Sequence, residues 1–167
     1  MSLSSFPERS RKAVALRALQ MLASDELPEI GLHLLSSASP SSAALAGATA
    51  ADGPRDLSDL FDSALAELGL ELPTKLEAAE FLKRIVAREA LSGTLSPRAA
   101  AEEIRLIYDV IESELPRERS LGAAFGVENI IGLYYSYDDV AEPADVLRID
   151  RDILDALAEI AAHPDPA

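Results

Sequence analysis

SPRAAAEEIRLIYDVIESELP, the stretch from residue 96 to residue 116, decides the fold class of this chain. Ser96 followed by Pro97 is typical of a helix start, because the serine oxygen accepts a free amide hydrogen and proline has no amide hydrogen to satisfy. Apolar residues then recur with the period of an α-helix, and they are Ala100, Ile104, Ile107, Tyr108, Ile111 and Leu115. Pro116 ends the pattern, since proline cannot continue a helix. The stretch therefore predicts an amphipathic helix with one face in a core.

Similar helical patterns cover most of the remaining chain. Thr74 and Glu77 match a capping box, in which two side chains satisfy each other's backbone amides at a helix start. Gly69 suits the left-handed C-cap of the helix before it. The predicted helices span residues 7–23, 28–35, 57–68, 75–91, 97–115, 121–137 and 150–162. The sequence thus predicts an all-α protein, a compact bundle of about six to seven helices with a flexible Ser/Ala/Gly/Pro-rich loop.

The segment from Ile130 to Tyr137 is the least regular of these predicted helices. Its isoleucines and tyrosines favour β-strands intrinsically. No partner strand is visible elsewhere in the sequence, and a lone strand is not stable, so we predict a helix here. Gly122 and Gly126 form a Gly-x-x-x-Gly pattern in the same predicted helix. That spacing favours a close crossing with a second helix, because glycine lets two backbones approach.

We expect one domain over residues 1–167, because this length suits a single hydrophobic core. Within it, residues 1–35 form an N-terminal helical arm and residues 57–162 form the main helical body. Residues 36–56 between them are rich in serine, alanine, glycine and proline and contain few large apolar side chains. We therefore predict a loop or linker that buries little surface.

The composition excludes several classes of chemistry. The chain has no cysteine, which rules out disulfides, thiolate metal sites and a cysteine nucleophile. The two histidines, His33 and His163, do not have the spacing of a metal-binding pair. No phosphate-binding glycine pattern and no apolar segment of bilayer length occur. We therefore assign no catalytic residue, no metal and no cofactor, and we expect a cytoplasmic location.

The net charge of −14 is unevenly distributed along the chain. Residues 1–55 contain five acidic and five basic side chains, so residues 56–167 carry the whole excess. Such a surface repels nucleic acid and anionic lipid and attracts basic partners. Solubility alone is the simpler interpretation. As the functional interpretation we predict a basic protein partner, and neither nucleic acid nor a membrane.

The candidate partner-binding residues lie together near the C-terminal end of the chain. They are Tyr134, Tyr135, Tyr137, Asp138, Asp139, Glu142 and Asp145. Tyrosines are enriched in protein interfaces, and carboxylates steer a basic partner toward them. On a helix Tyr134 and Tyr137 share a face while Tyr135 does not, so at least one tyrosine should be partly exposed. The alternative interpretation is that the tyrosine rings simply cover the core.

Two further functions stay open from the sequence. The first is an enzyme that uses carboxylates and tyrosines such as Asp138, Asp139 and Tyr135, with a divalent cation as an optional component. An EF-hand starting at Asp150 is excluded, because its sixth and twelfth positions hold Asp155 and Ala161 in place of glycine and glutamate. The second is a homo-oligomeric structural module in which the basic first helix docks on another subunit.

The connection from Gly93 to Pro97 resembles a helix–Gly-x-x-Ser-Pro–helix pattern of small bacterial proteins that have no assigned role. The resemblance implies a bacterial helical domain, and it carries over no functional residue. Bacterial toxin-neutralising immunity proteins and anti-factors are small acidic proteins of the same physical type. The leading hypothesis is therefore a non-catalytic protein-binding module whose acidic face engages a basic protein.

Overall fold

A computed structural model describes residues 6–34, 39–49, 52–116, 122–140 and 142–162. Within these ranges all regular structure is helical and no strand occurs, which confirms the predicted all-α class. Eight α-helices form, and they are α1 (Glu8–Ala18), α2 (Leu27–Leu34), α3 (Pro40–Gly47), α4 (Pro54–Glu67), α5 (Lys75–Leu91), α6 (Pro97–Ile111), α7 (Glu128–Ser136) and α8 (Pro143–Ala162). Short 3-10 turns occupy Ser24–Glu26, Glu112–Glu114, Ala123–Phe125 and Tyr137–Asp139.

The helix starts read from the sequence are present in atomic detail. The Thr74 amide donates to Glu77 Oε2 at 2.8 Å, and the Glu77 amide donates to Thr74 Oγ1 at 3.2 Å, which completes the predicted capping box. Ser96 Oγ accepts a hydrogen bond from the Ala99 amide at 3.3 Å, with Pro97 in the first turn. These local contacts explain why α5 and α6 begin where the sequence predicts.

The chain divides into two compact units, Met1–Ala78 and Ala79–Ala167, and the division falls in the first turn of α5. In the first unit the core combines side chains from α1, α2, α3 and α4, with Phe61 and Leu45 fully buried. In the second unit α6, α7 and α8 pack against one another. Its fully buried side chains include Ile104, Ile111 and Ile153. Each unit thus has its own apolar centre.

Helix α3 corrects the prediction that residues 36–56 form a loop that buries little. Ser39 caps the helix by accepting from the Ser42 amide at 3.2 Å, and Leu45 is completely buried. Glu67 of α4 accepts from the Ser41 amide and hydroxyl at 3.0 and 2.6 Å, and also from the Ser39 hydroxyl. These bonds lower the pKa of Glu67, the Ser39 contact most. The parts of the segment at 36–38 and 50–51 lie outside the described residues.

Gly31 of α2 lies against the backbone of α3. A Cβ atom on Gly31 would lie 2.6 Å from the Ala46 nitrogen and 2.9 Å from the Leu45 carbonyl carbon. Glycine is needed there because no side chain fits between two backbones at that separation. This close crossing, together with the buried Leu45, holds α3 in the first unit despite its small residues.

Helix α1 ends at Ala18, five residues before the predicted end at Ala23. Gln20 adopts a left-handed conformation with φ of 59°, and the Met21 amide bonds to the Leu16 carbonyl at 2.8 Å. This is the hydrogen bonding of a Schellman C-cap, in which glycine normally takes the left-handed position. The sequence suggested a longer helix because Leu22 continues the apolar pattern. Leu22 packs on the core, but it does so from the segment that follows the helix.

Gln20→Gly is expected to stabilise the protein by about 0.5–1 kcal/mol. The reason is that a residue with a Cβ atom is strained in the left-handed conformation, and glycine is not. The free energy of unfolding in urea measures the change. Gln20→Ala is the matched control and should give no gain, because alanine keeps the Cβ atom. A loss of stability for Gln20→Gly would contradict the observed cap.

The predicted helix over 121–137 is shorter than expected, and the Gly-x-x-x-Gly interpretation is wrong. Gly122 and Gly126 have φ of 83° and 71° and flank the 3-10 turn Ala123–Phe125. A Cβ atom on Gly122 would lie 2.8 Å from Ile131 Cδ1. The two glycines therefore form a tight turn ahead of α7. Residue 121 lies outside the described ranges.

Helix α8 begins at Pro143 and not at Asp150 as predicted, because Pro143 fits the first turn. Asp145 therefore lies in the first turn of α8, where its charge complements the helix dipole. Asp150 lies well inside the helix. The loop between α7 and α8 is consequently much shorter than the sequence pattern indicated. None of the helices in the described ranges is long and apolar enough to span a membrane.

Candidate partner-binding surface

The candidate residues lie along one stretch in which α7 passes directly into a 3-10 turn. Helix α7 carries Tyr134 and Tyr135, and Tyr137 begins the turn that ends at Asp139. Residues 130–136, whose isoleucines and tyrosines favour β-strands intrinsically, are thus helical as predicted for a segment without a partner strand. The three tyrosine rings differ in exposure: Tyr134 is half-buried, Tyr135 is exposed and Tyr137 is buried.

Tyr137 is a buried residue and holds α8 in place. Its ring is 7% exposed, and its hydroxyl donates a hydrogen bond of 2.5 Å to Asp150 Oδ1. The Arg98 guanidinium of α6 lies 5.0 Å from the ring centroid. Burial of the hydroxyl, reinforced by the hydrogen bond to Asp150, raises the pKa of Tyr137 above its ordinary value. This tyrosine contacts three elements of the second unit and is not available as a surface anchor.

Tyr134 of α7 is half-buried, and its ring contacts a second arginine of α6, Arg105. The Arg105 guanidinium lies 5.5 Å from the Tyr134 ring centroid, and Arg105 Nη1 is 2.5 Å from Asp109 Oδ2. Arg98 and Arg105 are seven residues apart on α6, so they lie two turns apart on one face. The two arginine–tyrosine contacts hold α6 against the end of α7.

Tyr135 is the tyrosine of the three that solvent reaches most readily, with 49% of its surface exposed. Its ring meets the Tyr134 ring edge-to-face at a centroid distance of 5.4 Å. This contact restricts the ring from one side and leaves the rest of it open. An exposed aromatic ring whose orientation is already restricted loses less conformational entropy on binding than a mobile one.

Three carboxylates follow Tyr135 at the surface. Asp138, Asp139 and Glu142 are exposed, and within the described part of the chain no basic side chain forms an ion pair with them. Asp145 differs, because Arg148 Nη2 lies 3.1 Å from its Oδ1. We define the acidic surface as Tyr135, Asp138, Asp139 and Glu142. We call Tyr134, which contacts the Tyr135 ring, and the buried Tyr137 its supports. Asp145 is held in a surface ion pair with Arg148.

Sequence reasoning missed the two arginines that contact the tyrosines. The sequence pattern that could have indicated them is a pair of spacings. Arg98 and Arg105 are seven residues apart on a predicted helix, and Tyr134 and Tyr137 are three residues apart on another. Both spacings place residues on one side of a helix. Nothing in the sequence showed that these two sides would face each other, since that depends on how α6 packs on α7.

No family model, no curated protein and no solved structure matches the sequence. Across the described residues, no group of three or more histidine or acidic side chains is placed to hold a metal ion. The feature that bears on function is therefore the acidic surface.

Tyr137→Phe is expected to lower the free energy of unfolding by about 1.5–3 kcal/mol, since it removes a hydrogen bond to a carboxylate. Tyr135→Phe is the matched control and should change it by less than about 0.5 kcal/mol. The folded state raises the Tyr137 pKa, so the stabilisation is complete below the unfolded pKa of about 10 and is lost as pH rises above it. In urea unfolding, the stability difference between the wild type and Tyr137→Phe should therefore shrink from neutral to alkaline pH. A difference that stays constant would contradict the buried hydrogen bond from Tyr137 to Asp150.

Proposed function

We propose that this protein is a non-catalytic binding module that engages a basic protein partner through its acidic surface. The observation that carries the proposal is that Tyr135 is half exposed beside three exposed carboxylates without ion-pair partners in the described residues. Asp145, three residues further along the chain than Glu142, is balanced by Arg148. The acidic surface lacks that balance, which leaves its charges available to a partner.

The physical roles of the four residues differ. The exposed Tyr135 ring supplies apolar area and a hydroxyl, the combination that makes tyrosine common at the centre of interfaces. Asp138, Asp139 and Glu142 attract a basic surface over roughly one Debye length, about 10 Å at 0.1 M salt. The attraction raises the association rate more than it lowers the dissociation rate. The surface is therefore suited to fast, salt-sensitive binding.

The proposed partner is a basic protein, and not nucleic acid, because a chain with a net charge of −14 repels phosphate groups. The proposed setting is the bacterial cytoplasm, where a cysteine-free protein needs no oxidising environment. A small acidic protein that neutralises a basic toxin or a basic regulatory factor is the biological role that fits this chemistry best.

Site-specific photocrosslinking in the native host tests the proposal. A benzophenone amino acid at position 135 should form a covalent adduct with one protein, and that protein should be basic. The same photoreactive group at position 106 is the matched control, since Leu106 is also an exposed residue of the second unit at 40% exposure. The proposal fails if position 135 gives no adduct, gives an acidic protein, or gives the same adducts as position 106.

A further inference from the structure

Two of the three tyrosines at the end of α7 already hold an arginine against the ring. The Arg105 guanidinium lies 5.5 Å from the Tyr134 ring centroid, and its Nη1 is 2.5 Å from Asp109 Oδ2. The Arg98 guanidinium lies 5.0 Å from the Tyr137 ring centroid, and the hydroxyl of that ring donates to a carboxylate of α8. In both places an arginine, an aromatic ring and a carboxylate form one cluster.

The third ring, that of Tyr135, has no such cation. Across the residues that the structure describes, no lysine or arginine lies over it. Its neighbour is the Tyr134 ring, at a centroid distance of 5.4 Å and an interplanar angle of 72°. An edge-to-face contact of this kind covers at most one face of a ring. Since 49% of Tyr135 is exposed, ring surface remains open to a cation from outside the chain.

The carboxylates for this third ring come from the next turn of the chain. Ser136 and Tyr137 have right-handed helical dihedrals, with φ of −66° and −62°, so the helical path continues from α7 into the 3-10 turn. Residues i and i+3 lie one above the other in such a turn, and residues i and i+4 are neighbours on a helix. Asp138 and Asp139 are therefore on the same side of the chain as Tyr135. Both are exposed, and no basic side chain of the described ranges pairs with them.

The position of these two carboxylates is unfavourable for helix α7 itself. The helix ends at Ser136, where its unpaired carbonyl groups carry a partial negative charge, and its last turn contains no basic residue. Asp138 and Asp139 add charge of the same sign just beyond that end. Neither lies in the first turn of α8, which begins at Pro143 and could have stabilised them. A cation supplied by a partner would remove this unfavourable interaction.

We infer that the basic partner contributes an arginine side chain, which lies on the Tyr135 ring and pairs with Asp138 and Asp139. The inference rests on the proposed function of the acidic surface and names the group that this surface recognises. A guanidinium is planar and weakly hydrated, so it stacks on a ring while it donates in its own plane to carboxylates. The ammonium of lysine is compact and strongly hydrated, and it gains less from the ring. Arg105 shows the same arrangement within the chain, because it contacts a ring and a carboxylate at once.

Two short peptides of equal charge test the inference on the full chain. They are acetyl-tetraarginine amide and acetyl-tetralysine amide, titrated at about 20 mM salt and followed by amide chemical shifts. Both should shift the amides of residues 135–139, and the arginine peptide should bind there at least about threefold more tightly. Equal affinities would overturn the arginine assignment and leave the basic-partner proposal intact. If neither peptide shifts these amides at up to about 5 mM, the surface does not attract bases, which contradicts the proposed function as well.

Variants of Tyr135 assign the preference to the ring. Tyr135→Leu should lower the affinity for the arginine peptide by about threefold and leave the lysine peptide nearly unaffected, so that the two bind equally. Tyr135→Phe is the matched control, because it keeps the ring and should keep the preference. Asp138→Asn combined with Asp139→Asn should weaken both peptides. The amide spectrum of each variant reports its fold. A preference for arginine that persists in folded Tyr135→Leu, or disappears in Tyr135→Phe, would contradict the inference.

Discussion

Gly31→Ala is expected to lower the free energy of unfolding by about 3 kcal/mol. The alanine Cβ would lie 2.6 Å from the Ala46 nitrogen, and a backbone atom cannot move aside as a flexible side chain can. Helices α2 and α3 must therefore separate, which disturbs the contacts of the fully buried Leu45. The free energy of urea unfolding measures the loss, and circular dichroism should show reduced helix if α3 detaches.

Gly47→Ala is the matched control for this change. Gly47 ends α3, and a Cβ atom there has nothing within 4 Å, so alanine should leave stability unchanged or raise it by up to about 1 kcal/mol. The two substitutions should change the free energy of unfolding in opposite directions. Alanine is the better helix former at an unconstrained helical position, so only the close contact at Gly31 can make it destabilising. A stabilising Gly31→Ala would show that α3 does not pack on α2.

Lys83→Met is expected to lower the free energy of unfolding by about 1–3 kcal/mol, although methionine preserves most of the apolar stem. The cause is the buried Phe125 carbonyl, which loses the donor that now lies 2.8 Å away. The lysine Nζ also lies 4.0 Å from the Phe125 ring centroid, so a cation–π contact is lost as well. Thermal and urea unfolding give the change.

Lys75→Met provides the comparison on the same helix. Lys75 is in the first turn of α5 and is half-exposed, so its replacement should change stability by less than about 0.5 kcal/mol. An equally small effect of Lys83→Met would mean that the turn Ala123–Phe125 is not held by the lysine.

The sequence predicts the helices whose signals are local. Capping side chains at Thr74 and Ser96 fix the starts of α5 and α6, and those contacts depend only on residues within one turn. The apolar period of α6 placed Ile104, Ile107 and Ile111 in the core, as observed. Leu115 was expected on the same face, but it lies beyond the end of α6 and is only partly buried.

Helix α3 escaped prediction because its stability comes from other parts of the chain. Its residues are small and lack an apolar stripe, so composition indicated a loop. The helix depends on Glu67, which lies 26 residues from Ser41, and on the backbone contact with Gly31. Neither relation has a periodic signature in the sequence. The left-handed Gly122 and Gly126 were likewise ambiguous, because the same spacing suits a helix crossing or a turn.

The candidate site was predicted as a set of residues, but not as an arrangement. Helical geometry predicted at least one partly exposed tyrosine but did not show which one. In the structure it is Tyr135. The burial of Tyr137 follows from Asp150 of α8 and Arg98 of α6, which are 13 and 39 residues away in the sequence. Long-range packing therefore separates the exposed anchor from its supports, and only a structure supplies that information.

The rate at which the crosslinked partner associates with three forms of the protein, measured across a salt series, tests the proposed function most directly. The forms are the wild type, a triple variant of the acidic surface (Asp138→Asn, Asp139→Asn, Glu142→Gln) and a control with the same change in charge (Asp25→Asn, Glu71→Gln, Glu102→Gln). All six replaced residues are exposed, and the described residues give none of them an ion pair. The acidic-surface variant should associate about tenfold more slowly at low salt and should lose most of the salt dependence, while the control behaves as the wild type. Equal effects of the two variants, or normal binding by the acidic-surface variant, would contradict the account.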